Sequence, residues 1–271
     1  MKTKTLITFL VLTLIVIACK VNPFTGEKNL NFVSNEQIFP ASFQQYDQFL
    51  QENQVVTGTD EARMVKEVGR KIATAAERYL NANGYTNYLD GYQWEYTLIQ
   101  DETVNAWAMP GGKIVVYTGL MPVAQTETGV AVVMAHEVAH ALADHGAQRM
   151  STTQLQQVIG QLGSAAIGGS EQTQQLFATA YGLGSNLGVM LPFSRGHETE
   201  ADRIGLTLMA IAGYDPTEAA ELWKRMQAQG GQSPPEFLST HPSNQTRINN
   251  LTKWAPEAKA EAAKFGVTSF Q

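Results

Sequence analysis

The chain has 271 residues and a formal net charge of −6, and 44% of its residues are hydrophobic. This content is enough for one substantial core or two small ones, which excludes an intrinsically disordered chain and a fibrous repeat. Lysines and arginines form no cluster beyond the extreme N-terminus, so we expect no nucleic-acid partner.

The N-terminal residues predict a secretory signal rather than a membrane span. Lys2 and Lys4 precede an apolar run from Leu6 to Ala18, which is too short to cross a bilayer comfortably. The three residues before Cys19 are Val-Ile-Ala. They resemble a bacterial lipobox, in which the cysteine is lipidated and becomes the new N-terminus. The alternative is an uncleaved anchor helix with an incidental cysteine.

We therefore divide the chain into a lipoprotein signal peptide (1–18), a polar tether (19–33) and a folded domain (34–271). Lipidation of Cys19 predicts a protein of the bacterial cell envelope that faces the periplasm and is anchored to the inner or outer membrane. Because Cys19 is the single cysteine, its lipidation leaves neither a disulfide nor a cysteine nucleophile.

The domain begins with two predicted helices followed by a sheet. Ser34 is placed to cap the first helix together with Gln37, and apolar residues follow at helical spacing. Asp60 opens the second helix, which we expect to end near Asn83-Gly84. The segments YQWEYTLI, TVNAWAMP and GGKIVVYTG, within 92–119, then predict a small antiparallel sheet.

The rest of the chain is expected to be helical. Predicted helices cover 127–145, 195–212, 215–229 and 243–253. The segment 151–190 is rich in Gln, Gly, Ala and Ser, and it either packs as helices or lies mobile over a cleft. The predicted fold class is therefore α+β, mainly helical, with a small antiparallel sheet.

An HExxH motif is formed by His136, Glu137 and His140 in the first of these helices. Positions i and i+4 share one helix face, so both histidines can direct a ring nitrogen at one Zn²⁺ ion. Glu137 lies about 100° round the helix from His136, where it can act as general base on water activated by zinc. The alternative is an exposed helix that happens to carry two histidines. His145 and His197 are weaker ligand candidates, since a helical His145 would lie about 180° round from His140.

A candidate third ligand lies in the segment SRGHETEADRIG, at 194–205. Glu198 and Asp202 are four residues apart on a predicted helix and can face the same neighbour, whereas Glu200 points to the far side. We expect Glu198 to bind zinc and Asp202 to accept the second ring N–H of a ligand histidine. The alternative is a solvated acidic turn.

Four sequence blocks resemble the M48 metallopeptidases, in particular their Oma1-like and bacterial envelope-lipoprotein members. The blocks are HEVAH at 136, ETEAD at 198, NAWAMPGGKIVVYTGL at 105–120 and STHPSNQTRI at 239–248. They occur in the order that the family shows. The resemblance implies a zincin-like peptidase domain over 34–271 with one zinc ion per chain. His136, His140 and Glu198 match the zinc ligands, and Glu137 matches the general base.

The resemblance also implies a substrate-binding strand in the cleft. In the family, the strand that matches Asn105 to Met109 lines the cleft and pairs with extended substrate. Asn105, Ala106, Trp107 and Ala108 are therefore candidate substrate-binding residues. This agrees with the general ability of an edge strand to hold a peptide by main-chain hydrogen bonds. The alternative is that these residues belong to ordinary sheet core.

His241 precedes Pro242 in a predicted loop that opens a helix. In related envelope enzymes the matching histidine can occupy the fourth zinc position, which holds the enzyme latent until the loop moves. His241 could instead stabilise the developing oxyanion or lie in a surface turn, and the sequence leaves all three roles open. Arg247, further along, either holds a nearby carboxylate or caps its helix.

The sequence thus predicts a lipid-anchored zinc endopeptidase that hydrolyses peptide bonds of unfolded or misassembled proteins. Glu137, Asp202 and His241 are the candidate catalytic residues. The expected partners are extended polypeptides and, through Cys19, the membrane. Two alternatives stay open: a non-catalytic, zinc-stabilised envelope chaperone that binds extended chains, and a cell-wall peptide amidase. Glu137 argues against the chaperone, because a structural zinc site has no need of a general base.

Overall fold

The computed structural model describes residues 19–167, 170–185, 189–229, 236–242 and 245–271. The predicted signal peptide, 1–18, lies outside the described residues, and the lipidation of Cys19 stays a prediction. Within these ranges no helix combines the length and the apolar character that a membrane crossing requires.

Helices and strands alternate only in the first half of the described chain. The strands are β1 (Cys19–Val21), β2 (Lys28–Leu30), β3 (Val55–Val56), β4 (Glu95–Ile99), β5 (Ala106–Met109) and β6 (Lys113–Tyr117). The helices are α1 (Asn35–Glu52), α2 (Asp60–Ala82), α3 (Met121–Ala124), α4 (Glu127–Leu142), α5 (His145–Ile167), α6 (Glu171–Ser185), α7 (Leu191–Ile211), α8 (Glu218–Gln229), α9 (Glu236–Thr240) and α10 (Gln245–Lys264), with a 3₁₀ turn at Thr118–Leu120. The predicted mainly helical α+β class is confirmed.

The main sheet is mixed, which corrects the expectation of an antiparallel sheet. Its strands lie in the order β3, β4, β6, β5. The outer pairs are antiparallel, but β4 and β6 are parallel, with Tyr96 opposite Ile114. The chain crosses from β4 to the far edge, and the turn at Gly111 and Gly112 returns it as β6 between β5 and β4. Both glycines have φ near +90° (85° and 93°), a conformation that other residues rarely adopt.

The first two domain helices begin where the sequence predicts them. The Ser34 backbone N–H donates to Oε1 of Gln37 over 3.0 Å at the start of α1. Thr59 Oγ1 accepts from the Ala62 N–H over 3.1 Å at the start of α2, satisfying an N–H group that has no partner within the helix. The predicted tether contains a further small hairpin, formed by β1 and β2.

Helix α4, which carries the HExxH motif, lies at the centre of the core. It packs against α2, α7 and β5, and nearly all of its residues are buried, as expected for a helix that is apolar on every side. Helix α7 approaches it closely at Gly205, where an added Cβ would lie 3.1 Å from the backbone nitrogen of His136. The absence of a side chain at Gly205 therefore lets α7 approach the motif.

Most of the segment 151–190 is helical. Helices α5 and α6 form an antiparallel pair, in which Phe177 packs near Gly163 and Tyr181 near Gly160. None of the described residues between 151 and 190 contributes to the cluster of metal-ligand side chains described below.

Candidate metal centre

Three separate elements bring four ligand-type side chains to one point. Helix α4 supplies His136 and His140, α7 supplies Glu198, and His241 follows directly after α9. Each residue offers one nitrogen or oxygen atom, and these atoms all lie within 4.8 Å of one another. The three predicted zinc ligands are therefore brought together, with His241 beside them.

The distances between the three predicted ligands suit a tetrahedral zinc ion. The Nε2 atoms of His136 and His140 lie 3.1 Å apart. Glu198 places Oε2 3.3 Å from His136 Nε2 and Oε1 3.4 Å from His140 Nε2. Two ligand atoms bound about 2.0–2.2 Å from a tetrahedral zinc lie about 3.4 Å from each other. The donor set of two imidazoles and one carboxylate is also typical of catalytic zinc sites.

His241 occupies the remaining side of the cluster. Its Nδ1 lies 3.2 Å from His136 Nε2 and 3.0 Å from Glu198 Oε2, and its Nε2 lies 3.4 Å from Glu137 Oε1. The preceding helix α9 is tied to the start of β5 by a hydrogen bond from the Phe237 N–H to the Val104 carbonyl, 3.1 Å. His241 is therefore part of the site, and the surface-turn alternative is wrong.

Behind the ligands, Arg247 holds two carboxylates. Its Nε and Nη2 donate to the two oxygens of Asp202, each over 2.7 Å, and its Nη1 donates to Oε2 of Glu198 over 3.0 Å. Asp202 Oδ1 lies 3.1 Å from Nδ1 of His136, although the two groups are not aligned as a hydrogen bond. Of the two roles considered for Arg247, the structure confirms the binding of a carboxylate.

Local charges decide which groups of the site are ionised. Burial favours the neutral acid at Glu198 and Asp202. Hydrogen bonds and the charge of His136 nevertheless hold the pKa of Glu198 below its ordinary value, and Arg247 lowers the pKa of Asp202. Burial alone would lower the pKa of His136, but these two carboxylates raise it to about 9 in the metal-free protein. At Glu137 burial is the dominant effect, so its pKa is raised.

Glu137 adjoins an open pocket. Its side chain is buried, and Oε1 has no hydrogen-bond partner among the described residues. The neighbouring pocket has a volume of about 180 Å³, and Glu137 lines it together with His140 and His241. A buried carboxylate beside a metal-ligand cluster, with one oxygen that accepts no hydrogen bond, is placed to accept a proton from a reactant in this pocket.

Two of the four predicted substrate-binding residues line this pocket. Trp107 and Ala108 do so, whereas Asn105 and Ala106 are buried near the beginning of β5. Asn105 Oδ1 accepts from the Ala106 N–H over 2.9 Å, and Ala106 pairs with Val116 across the ladder. Strand β5 is an edge of the sheet, since its outer side pairs with no other strand in the part of the chain that the structure describes.

Two residues lie behind His140: His145, which the sequence offered only as a weaker ligand candidate, and Glu200, which was expected to point to the far side. Nδ1 of His145 lies 2.8 Å from Nδ1 of His140, and Nε2 of His145 lies 2.9 Å from Oε2 of Glu200. The expectation that His145 lies opposite His140 on one helix is wrong. Helix α4 ends at Leu142, and Asp144, with φ 56°, turns the chain before α5 begins at His145. The only signal in the sequence is Asp144 itself, a residue type that tolerates this left-handed conformation.

Comparisons with known proteins agree with this site. The sequence profile of Peptidase family M48 matches residues 61–255. Mitochondrial metalloendopeptidase OMA1 of Schizosaccharomyces pombe is 42% identical over 171 residues, which cover 62% of this chain and 49% of that protein. Human metalloendopeptidase OMA1, mitochondrial, is 27% identical over 249 residues, 88% of this chain and 46% of that protein. The beta-barrel assembly-enhancing protease of Escherichia coli is 31% identical over 160 residues, 57% of this chain and 33% of that protein.

Zinc metallopeptidases are the class of protein that this fold and this donor set define. The chain belongs to peptidase family M48, because the family profile covers most of its length, and the resemblance seen in the four sequence blocks is confirmed. The chain spans about half the length of the OMA1 relatives that it matches.

Proposed function

We propose that the protein is a zinc-dependent endopeptidase that cleaves unfolded or extended polypeptides. The observation that supports this most is the position of Glu137, a buried carboxylate that adjoins both the metal-ligand cluster and an open pocket beside an edge strand. A zinc site that only stabilises the fold has no need of a base in this place. Several relatives bear the name metalloendopeptidase, which agrees with the proposal.

Metal binding and proton transfer are assigned to different residues of the site. Zinc bound by His136, His140 and Glu198 would supply a Lewis acid that polarises the substrate carbonyl and acidifies water. Glu137 accepts the proton of the attacking water as the new C–O bond forms. Its raised pKa suits it to pass that proton to the leaving amine as the C–N bond breaks.

The substrate is recognised mainly through its backbone. An extended peptide that aligns with β5 can form main-chain hydrogen bonds along the free edge of the sheet, whatever most of its side chains are. The main-chain amide of Ala108 lies beside the Glu137 carboxylate, so a peptide held on this strand passes the general base. Trp107, in the pocket wall, adds apolar contact area. These features support unfolded chains as the substrate class.

We further propose that the described conformation is a latent form of the enzyme. His241 Nδ1 lies as close to His136 Nε2 and Glu198 Oε2, 3.2 and 3.0 Å, as one zinc ligand lies to another. In this conformation it competes with substrate for the fourth position. His241→Ala is therefore expected to cleave casein several-fold faster than wild type while keeping its zinc. Slower cleavage with unchanged zinc content would assign His241 to stabilisation of the oxyanion instead.

The proposed location is the bacterial cell envelope, with the chain tethered through a lipid on Cys19. The lipobox-like residues before Cys19 support it, as does the name of the Escherichia coli relative, a beta-barrel assembly-enhancing protease. Other relatives are named as mitochondrial. The test is incorporation of radiolabelled palmitate in a bacterial host. We expect label in wild type and none in Cys19→Ser, and an unlabelled wild-type protein would contradict the lipid anchor.

The endopeptidase proposal is tested with purified full-length protein and unfolded casein. Glu137→Gln should cleave about 10²- to 10⁴-fold more slowly than wild type because the general base is lost, while its zinc content stays unchanged. The matched control is Glu77→Gln, the same change at an exposed position of α2, which should cleave like wild type.

Equal cleavage by wild type and Glu137→Gln would contradict the endopeptidase. If Glu137→Gln also restored function in cells and still prevented aggregation of unfolded proteins, the chaperone would be supported. Release of products from purified peptidoglycan, without casein cleavage, would support the amidase.

A further inference from the structure

A chain of hydrogen bonds leads away from the metal site through the second ring nitrogen of His140. Nε2 of His140 faces the ligand cluster, while its Nδ1 lies 2.8 Å from Nδ1 of His145. Nε2 of His145 lies 2.9 Å from Oε2 of Glu200. A metal ligand that uses Nε2 carries its proton on Nδ1. His140 then donates to His145, and His145 donates to Glu200, so one arrangement of protons satisfies every contact.

Glu200 connects this chain to residues 19–32, which we call the N-terminal strap. Asn22 Nδ2 and Thr25 Oγ1 donate to Oε1 of Glu200 over 2.8 and 2.7 Å. One oxygen of the carboxylate therefore accepts from His145 and the other accepts twice from the strap. Because both oxygens are engaged, movement of the strap changes the position of the carboxylate that orients His145.

The strap is fastened across the turn between α4 and α5. Lys20 Nζ and Asn31 Nδ2 both donate to Oδ2 of Asp144, over 2.6 and 3.2 Å. The Phe32 N–H donates to Oγ of Ser151 over 3.2 Å. These contacts hold the open end of the β1–β2 hairpin, where Lys20 and Asn31 lie close together. Asn22 and Thr25 hold the turn at its other end, so the strap is docked at both ends.

The ring of His145 is held in one orientation by its surroundings. It is 2% exposed and stacks on the ring of His197 with centroids 4.0 Å apart and planes at 12°. Nε2 of His197 lies 3.0 Å from Oε1 of Gln148. His145 therefore has little freedom to rotate while Glu200 stays in place.

We propose that the N-terminal strap positions the zinc ligand His140 through Glu200 and His145, so that zinc affinity depends on docking of the strap. Asn22, Thr25, Glu200 and His145 are positioning residues, and none of them belongs to the ligand cluster. The inference rests on zinc as the metal of the proposed enzyme. It concerns affinity, which is measurable without any protease activity. Partners that orient a ligand histidine typically change metal affinity by about 10- to 100-fold.

The experiment measures the zinc dissociation constant of the full chain by competition with a chromophoric chelator. The variant Asn22→Ala/Thr25→Val removes both strap donors, and we expect about tenfold weaker zinc binding. Thr25→Ser keeps the hydroxyl and should keep the wild-type affinity. Glu27→Gln, an exposed change within the same strap, is the matched control and should also bind like wild type.

Two further measurements distinguish positioning from simple stabilisation. The visible spectrum of the Co²⁺-substituted double variant should change, because the orientation of His140 changes. In a His145→Phe background, or in Glu200→Gln if that variant folds better, the strap substitutions should have no further effect on zinc affinity. Unchanged zinc affinity in the double variant would overturn the proposal. So would strap substitutions that weaken zinc binding equally in wild type and in the His145→Phe background.

Failure of the positioning proposal can be distinguished from failure of the endopeptidase proposal. If wild type cleaves casein and the strap variants bind zinc normally, the positioning chain is wrong and the endopeptidase stands. If zinc binding weakens as expected but wild type cleaves no protein, the positioning chain stands and the endopeptidase is wrong. A wild-type chain that binds no zinc would overturn both.

Discussion

Replacing Arg247 by methionine tests whether this guanidinium holds the metal site together. Arg247 is 3% exposed and donates to Asp202 over 2.7 and 2.7 Å and to Glu198 over 3.0 Å. The substitution removes the guanidinium and leaves the two buried carboxylates with His136 as their cationic neighbour. Removing one partner of a buried ion pair costs about 3–5 kcal/mol in comparable proteins. For a chain of this size, 1 kcal/mol shifts Tm by about 2–4 °C. We therefore expect the metal-free variant to unfold roughly 6–20 °C below wild type.

The pH dependence supplies a second readout of the same substitution. In wild type, Arg247 outweighs burial and lowers the pKa of Asp202. Asp202 therefore contributes stability above its unfolded pKa, and this contribution is lost as the pH falls through its folded pKa. In Arg247→Met the folded pKa of Asp202 rises, so its protonation relieves the unpaired charge and the difference in Tm from wild type narrows in acid.

The assay is thermal unfolding of chelator-treated protein, followed by circular dichroism at several values between about pH 4 and pH 8. Arg195→Met, the same change at an exposed position of α7, is the matched control and should leave Tm nearly unchanged. A difference of less than about 2 °C between Arg247→Met and wild type, or one that does not vary with pH, would refute the reasoning.

Three further predictions concern the same site. Gly205→Ala should lower the free energy of unfolding by about 1–3 kcal/mol, because its Cβ would lie 3.1 Å from His136 N. Gly196→Ala, at an open position of the same helix, should raise it by up to about 1 kcal/mol; urea unfolding compares the two, and equal effects would contradict the close approach. Zinc binding should tighten about tenfold per pH unit up to about pH 9, because His136, with its pKa raised to about 9, must lose a proton. Competition titrations at several pH values measure this, and a flat profile counts against it. Trp107→Ala should raise KM for an extended peptide about tenfold with little change in kcat, since the contact with bound substrate is lost in ground and transition state alike; an effect on kcat alone would place Trp107 in the chemistry instead.

Local spacing was sufficient to predict that His136, His140 and Glu198 share one cluster of metal-ligand side chains. His136 and His140 lie on one helix face because the α-helix repeats every 3.6 residues, and the same holds for Glu198 and Asp202. This geometry depends only on each segment being helical. The starts of α1 and α2 follow from equally local causes, since a cap satisfies N–H groups within a few residues of itself.

Contacts between distant segments were decided by the packing of the whole chain. Periodicity shows which residues of a helix share a face, but it does not show which faces of different helices meet. The sequence therefore could not decide whether Arg247 pairs with Asp202 or caps its own helix. The bond between Asn22 and Glu200 joins residues 178 positions apart. Likewise, β4 and β6 are parallel only because the chain crosses the sheet before it returns. The position of His145 depends on a single residue in the left-handed conformation, Asp144. Periodicity predicted one continuous helix through this residue, but the helix is interrupted there.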